Sequence, residues 1–246
     1  MPHQTHLHSD TTLNTIYRHR SIRKYSGEPV ATEQLQAILE AGRAASSSSF
    51  MQCVHIVRVT DAAIREGLYE VAAQQKYVRE AAEFLVFCID YAKHKQAVPE
   101  AQVDWTETLI IGAVDAGIMA QNCLLAAESL GLGGVYIGSL RNNTARVTEL
   151  LQLPAYTVPL FGLCIGHPAQ QPLYRPRMPL AMTVSENHYR PLNAEALAAY
   201  ETILADYYQR RSGLDLNWQQ AVANNFARPV RPHILPFLQE QGLARR

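Results

Sequence analysis

Glu128-Ser129-Leu130-Gly131-Leu132-Gly133-Gly134-Val135-Tyr136-Ile137-Gly138-Ser139 reads as the end of a helix, a stop and a short strand. Gly131 is placed to terminate the helix, because a residue without a Cβ enters the left-handed region at little cost. Residues 135–137 then form a short strand, and Gly138 lets a ligand approach the backbone closely. The glycines precede the strand, whereas a dinucleotide fingerprint sets them between a strand and a helix. A Rossmann crossover is therefore excluded at this point, and the sequence holds no Walker loop.

Upstream, Pro99 precedes a long helix over about 103–130 whose centre is small: Gly112, Ala113, Ala116, Gly117, Ala120 and Ala126. Each glycine costs helix propensity on the order of 1 kcal/mol, so packing must compensate. The expectation is a fully buried helix, suited to close approach at a subunit interface. The apolar run 82–90, with Phe84, Leu85, Val86, Phe87 and Ile89, is a buried strand. Residues 54–59 and 158–165 are two more buried strands, the second closed by Gly166. Helices are predicted over 11–18 (capped by Asp10 or Thr11), 32–45 (capped by Thr32), 61–73, 144–151, 194–211, 217–227 and 232–241. Gln74 to Tyr77 break the pattern, and an extended arm passes Val184 and Tyr189. With no repeat and no visible break, residues 1–246 read as one domain, with 1–10 a flexible tail and about 194–246 a helical extension.

The composition, 48% hydrophobic and 18% charged over 246 residues, is that of a folded chain with a sizeable core. Lys plus Arg and Asp plus Glu are each 22, a balance that argues against a nucleic-acid binder. Cys53, Cys88, Cys123 and Cys164 form no CxxC pair and stand among apolar residues, as reduced buried thiols do. Neither a disulfide frame nor a metal site is expected. No apolar run is read as reaching membrane-spanning length, and the N-terminus lacks a signal-peptide core. His3, His6 and His8 are read as part of a frayed end. The expectation is a cytoplasmic protein with no membrane or nucleic-acid partner.

The polar residues gather in clusters. His19-Arg20-Ser21-Ile22-Arg23-Lys24-Tyr25 joins a helix to an extended run. Two readings stand: a solvated basic helix end, favoured by the helix dipole, or a holder of phosphate or carboxylate. Ser46-Ser47-Ser48-Ser49-Phe50 is a flexible loop or a hydroxyl-rich wall for a polar ligand. Arg175-Pro176-Arg177 is a second basic pair, and Arg210, Arg211, Arg228 and Arg231 bias the C-terminal third. No GxSxG, HExxH or paired-carboxylate motif offers a catalytic side chain. What remains is a cradle for a cofactor that carries its own chemistry.

Taken together, His19 to Arg23, Ser46 to Phe50 with Gln52-Cys53, and the 128–138 stretch resemble the nitroreductase family, in particular its NADPH-dependent oxygen-insensitive nitroreductase and flavin reductase branch. Arg141-Asn142-Asn143, Pro159 to Cys164 and the Arg177 segment extend the resemblance, which covers the chain from about residue 13. It implies an α+β fold: a mostly antiparallel central sheet wrapped by helices, in an intertwined homodimer with FMN at the interface. His19, Arg20, Ser21 and Arg23 would hold the FMN phosphate and ribityl chain, with Arg177, and Arg175 in place of the usual lysine, adding charge. Ser47 and Ser49 would line the pocket, Gln75 would bond the isoalloxazine edge, and Tyr136, Ile137, Gly138 and Ser139 would lie along the flavin. Phe50 would shape the substrate pocket, and Arg211 and Arg231 would meet NADPH. Ser139 departs from a common glycine. The loop Ser212 to Asn217 lacks further arginines, which weakens the preference for NADPH over NADH. The implied activity is ping-pong, two-electron reduction of nitroaromatics or quinones by NADPH. The alternatives are a flavin reductase supplying a partner and, in another class, a non-catalytic flavin-binding module.

Overall fold

A computed structural model describes residues 11–246. His3, His6, His8 and the Asp10 cap lie outside the described residues. The chain divides into two compact units, Met1–Pro172 with His233–Arg246, and Leu173–Pro232. The first contains α1 (Thr11–Arg18), α2 (Thr32–Arg43), β1 (Val54–Arg58), α3 (Ala62–Val71), α4 (Tyr77–Glu80), β2 (Glu83–Asp90), α5 (Ala92–Ala97), α6 (Thr106–Ser129), β3 (Gly133–Ile137), α7 (Thr144–Leu150) and β4 (Thr157–Gly166). The second contains α8 (Leu180–Thr183), α9 (Ala194–Ser212) and α10 (Trp218–Phe226), and α11 (Ile234–Glu240) belongs to the first unit again.

The four strands form one sheet in the order β1-β2-β4-β3, every pair antiparallel. This is the expected α+β class. Strand β2 is central and buried at every residue. Phe84, Leu85 and Phe87 are wholly enclosed, and each such side chain contributes about 1.5–3 kcal/mol of burial. At the start of β2 the carboxylate of Glu83 accepts two bonds from Arg58 on β1, both 2.7 Å. That bidentate pairing is what allows an acid to sit buried there. Strand β1 departs from expectation: only Val54 is buried along its length, because it borders a single strand.

Helix α6 packs Ala116, Ala120, Cys123, Leu124 and Ala127 into the main core. Gly112 is needed where it stands, since a Cβ would meet Ile89 Cγ2 at 2.7 Å. The expectation of full burial fails, however. Ile110, Val114 and Ile118 are exposed along one side, and a Cβ on Gly117 would meet nothing within 4 Å. The helix is also long and apolar enough to cross a membrane by length and composition, contrary to the sequence reading. Its glycines and alanines made the run look weaker than it is. Its N-terminus is tied down by Arg246: the carbonyl oxygen accepts from Thr106 N–H (2.8 Å) and Thr106 Oγ1 (2.7 Å), and the guanidinium bonds Asp104.

Local chemistry explains most element ends. Asp61 Oδ1 accepts from the N–H groups of Ala63 and Ile64, fixing the start of α3. Gly131, at φ +80°, ends the turn after α6 as expected. Helix α2 begins one residue off expectation: Ala31 is the cap, and its N–H donates to Gln34 Oε1 at 3.2 Å. The short helices α4, α5 and α8 were not anticipated, being too brief to show a 3.6-residue period. In the second unit, Tyr200, Leu204, Tyr207 and Tyr208 of α9 form a small core of their own with Met178, Met182, Leu216 and Trp218.

All four cysteines are free and buried. Burial pushes the Cys123 thiol from 9.0 to about 11 and the Cys88 thiol to about 12. Because these values are raised in the folded state, their contribution to stability is complete below about pH 9 and is lost as pH rises through the folded values. We expect no reaction of the native protein with a disulfide reagent at pH 8, four thiols titrated after denaturation, and a denaturation midpoint that falls only above about pH 9. Rapid native labelling of Cys88 or Cys123 contradicts this account.

Candidate functional site

The basic stretch leaves α1 and runs extended along the sheet. Ile22 N–H donates to Gly134 O on β3 (2.9 Å), Ser26 N–H to His167 O (3.0 Å), and Ala169 N–H to Lys24 O (2.9 Å). Tyr25 bridges to Pro168, and its hydroxyl donates to Ile22 O at 2.9 Å. Ile22 is buried while Arg23 is exposed, the alternation of an extended strap. Gly133 makes room for it: a Cβ there would lie 2.4 Å from Ile22 Cγ1.

Within this strap, His19 Nδ1 lies 2.5 Å from Glu128 Oε1 at the end of α6. A carboxylate on Nδ1 makes that nitrogen the donor and leaves Nε2 for another partner. The Arg20 guanidinium donates to Arg18 O (2.9 Å) and His19 O (2.8 Å), so part of its work is that of a helix-end cation. Burial raises the Tyr77 phenol, and the charge of Arg23 pulls it the other way.

Gln75 and Ser139 meet beyond Ile137, which pairs with Gly162 at the other end of β3 from Gly134. The Ser139 hydroxyl contacts Gln75 Oε1 at 2.9 Å and Ala72 O at 3.3 Å. The chain turns sharply before Gln75, with Ala73 and Gln74 at φ 54° and 55°. Tyr136 is exposed, edge-on to Phe161 at 5.6 Å, with its hydroxyl 3.3 Å from Gln121 Oε1. Ile137 points the opposite way into the core and offers only backbone to a ligand. A Cβ on Gly138 would sit 3.4 Å from the Arg141 guanidinium.

The serine loop lies elsewhere. It precedes Val54, which pairs with Ile89, whereas the strap attaches where Gly133 pairs with Gly166 and Glu83 with Ile165. These are opposite ends of the sheet, about 20 Å apart at 3.3 Å per residue along β2. The loop is neither flexible linker nor free hydroxyl wall throughout. Ser47 Oγ donates to Asp115 Oδ2 (2.7 Å) and accepts from Gln52 N–H (2.7 Å). Ser48 N–H also donates to Asp115, at 3.2 Å. Ser49, Phe50 and Gln52 are left-handed (φ 47°, 57° and 51°), each at a cost on the order of 1 kcal/mol or more. Ser49 and Phe50 face outward, Phe50 with 76% of its surface exposed.

In the second unit Arg175 Nη2 donates to Tyr208 Oη at 2.5 Å. Burial raises the Tyr200 phenol, and Arg175 and Arg177 oppose it. Arg211 is exposed in the last turn of α9, and Arg231 has φ 50°.

Three residues of the arrangement escaped sequence reasoning: Asp115, Glu128 as the partner of His19, and Tyr77. The signal for Asp115 was there, a lone carboxylate among the small residues of α6. Among the described residues no group of His, Cys, Asp and Glu is placed to hold a metal ion.

The antiparallel sheet with its helices makes this an α+β protein whose edge strand carries a basic strap, and the chain belongs to the nitroreductase family. The model of that family matches residues 16–167, and that of its C-terminal domain matches 175–246. The chain is 54% identical over 239 residues to NADPH-flavin oxidoreductase of Vibrio harveyi, covering 96% of this chain and 100% of that one. It is 48% identical over 237 residues to oxygen-insensitive NADPH nitroreductase of Salmonella typhimurium, covering 96% and 99%. Among solved structures it superposes on nitroreductase A from Vibrio parahaemolyticus with a TM-score of 0.94, at 54% identity and 97% and 100% coverage. The NADPH:FMN oxidoreductase of Vibrio harveyi complexed with NAD+ follows at 0.92, with 53% identity and 96% and 100% coverage.

Gly133→Ala tests the strap directly. The new methyl must displace Ile22, so amide exchange at Ile22 should accelerate while that of the central strand β2 stays slow. Unchanged protection at Ile22 would show that the strap is held by something else.

Proposed function

We infer that the protein is an FMN-dependent NADPH oxidoreductase that reduces nitroaromatics or quinones by two electrons in a ping-pong sequence. The observation that carries this reading is the pinned strap, which sets His19, Arg20, Ser21 and Arg23 along the edge of the sheet. The residues fit the cofactor: His19 keeps Nε2 for an outside partner, and Ser139 engages the Gln75 oxygen, leaving the amide NH₂ to bond a flavin edge. Bound FMN supplies the redox chemistry, taking two electrons from the nicotinamide and giving them to the acceptor. His19, Arg20, Ser21 and Arg23 hold its phosphate and ribityl chain, and their positive charge favours the more negative, reduced cofactor. The hydroxyl that departs from the family's glycine at position 139 thereby has a task, that of orienting Gln75. Arg175 and Arg177 are assigned to the phosphate, and Arg211 and Arg231 to NADPH, on the family resemblance alone.

The serine loop and the strap sit too far apart in one chain to share a cofactor. A homodimer resolves this, with Ser47, Ser49 and Phe50 of one copy facing the strap and Tyr136 to Ser139 of the other. The exposed stripe Ile110, Val114 and Ile118 of α6, with open space at Gly117, is suited to such an interface. We read residues 1–246 as one functional domain with a helical extension from about 194, and place the protein in the cytoplasm. A second reading, reduction of free flavin, is favoured by the flavin oxidoreductase name of the Vibrio harveyi relative.

The purified protein should show flavin absorbance that bleaches under NADPH without oxygen, and Arg20→Ala should weaken FMN binding about tenfold or more with little change in melting temperature. Full FMN retention by that variant counts against the strap. For the dimer, the expected mass is twice 27.5 kDa. A mixed dimer of one Arg20→Ala chain and one chain with Ser47→Ala and Ser49→Ala should regain about half the native activity, because one of its two sites is intact. A monomer, or no recovery, removes the shared-site arrangement.

A further inference from the structure

Asp115 is a buried acid, 4% exposed, in the apolar middle stretch of α6, residues 109–120, and the mechanism above gives it no part. Its oxygens take the Ser47 hydroxyl at 2.7 Å, the Ser48 N–H at 3.2 and 3.3 Å, and the Cys53 thiol at 3.6 Å. Ser47 in turn accepts the Gln52 N–H, so one carboxylate closes the loop at both ends. Between those ends stand Ser49 and Phe50, both left-handed and both turned outward. A phenylalanine keeps that conformation only where its surroundings impose it. Exposed as it is, Phe50 is restrained through its backbone: its N–H donates to Ser47 O (3.1 Å) and Met51 N–H to Ser48 O (2.9 Å), and Asp115 in turn fixes Ser47 and Ser48.

We propose that Asp115 is the positioning residue for acceptor selection: through Ser47 and Ser48 it holds Phe50 in the left-handed conformation that sets the height of the acceptor pocket. It touches neither cofactor nor acceptor. This rests on the reading of the protein as an FMN oxidoreductase whose pocket Phe50 shapes. Loss of Asp115 frees the loop to relax toward ordinary backbone angles, which moves Phe50 and lets bulkier acceptors in. The NADPH half-reaction is untouched in this scheme.

The test uses the FMN-loaded enzyme and its Asp115→Ala and Asp115→Asn variants, with 1,4-benzoquinone and a tricyclic anthraquinone sulfonate as small and large acceptors. Asp115→Ala should accelerate amide exchange at Ser48 and Gln52 and shift the ratio of the two acceptors' KM values by about fivefold, the worth of one net hydrogen bond. The rate of flavin bleaching by NADPH should stay within about twofold of native. Asp115→Asn keeps an acceptor for the Ser48 N–H and should restore most of the native KM ratio; it also serves if the alanine variant does not fold. An unchanged KM ratio in a loosened loop overturns the proposal, as does native exchange at Ser48 and Gln52. Failure of the native enzyme to bleach under NADPH overturns the functional reading instead, and is seen before any variant is made.

Discussion

Beyond its first turn helix α6 carries two carboxylates, Asp115 and Glu128, thirteen residues or about 20 Å apart at the usual rise. Each holds one candidate wall of the site, the serine loop at one end of the sheet and the His19 strap at the other. The helix is itself fixed by packing Ala116, Ala120, Cys123 and Leu124 on the sheet and by the Arg246 contacts at its N-terminus. Within the chain both segments are therefore fixed to one rigid element, with little left to loop flexibility. Such a support is what a binding site needs when the chemistry belongs to a cofactor.

The two acids do different work because their surroundings differ. Asp115 is enclosed and satisfies a hydroxyl and a backbone N–H, so it determines backbone shape. Glu128 meets a partly exposed imidazole and determines which ring nitrogen faces outward. Around the strap, burial raises the Tyr25 and Tyr77 phenols and keeps them neutral, while Arg23 opposes the rise at both.

Much of the architecture was legible in the sequence because burial imposes a period. The apolar run of β2, the glycine stop at Gly131 and the helix α9 appear where the pattern placed them. What escaped lacks such a signature. Helices α4 and α5 are each about one turn long, and Ala31 caps α2 without a side-chain acceptor. The exposed stripe of α6 has the same residue types as its buried side, so periodicity could not separate them. For the site, residue types pointed to a basic strap and a hydroxyl loop, yet linear spacing holds no information about which end of a sheet each would reach. Ser47 looked like a ligand-binding hydroxyl; its strong bond to an acid 68 positions away shows only in three dimensions.

The left-handed residues of the serine loop also bound how the family's sequences can drift here. Ser49, Phe50 and Gln52 occupy backbone angles that β-branched side chains essentially cannot take. Valine, isoleucine and threonine are closed to all three positions, and proline is barred by its fixed negative φ. Glycine and asparagine are open, but glycine abandons the pocket wall altogether. Changes here then exchange one unbranched or aromatic side chain for another on an unchanged backbone. The loop can vary what it presents while the path of the chain stays constant.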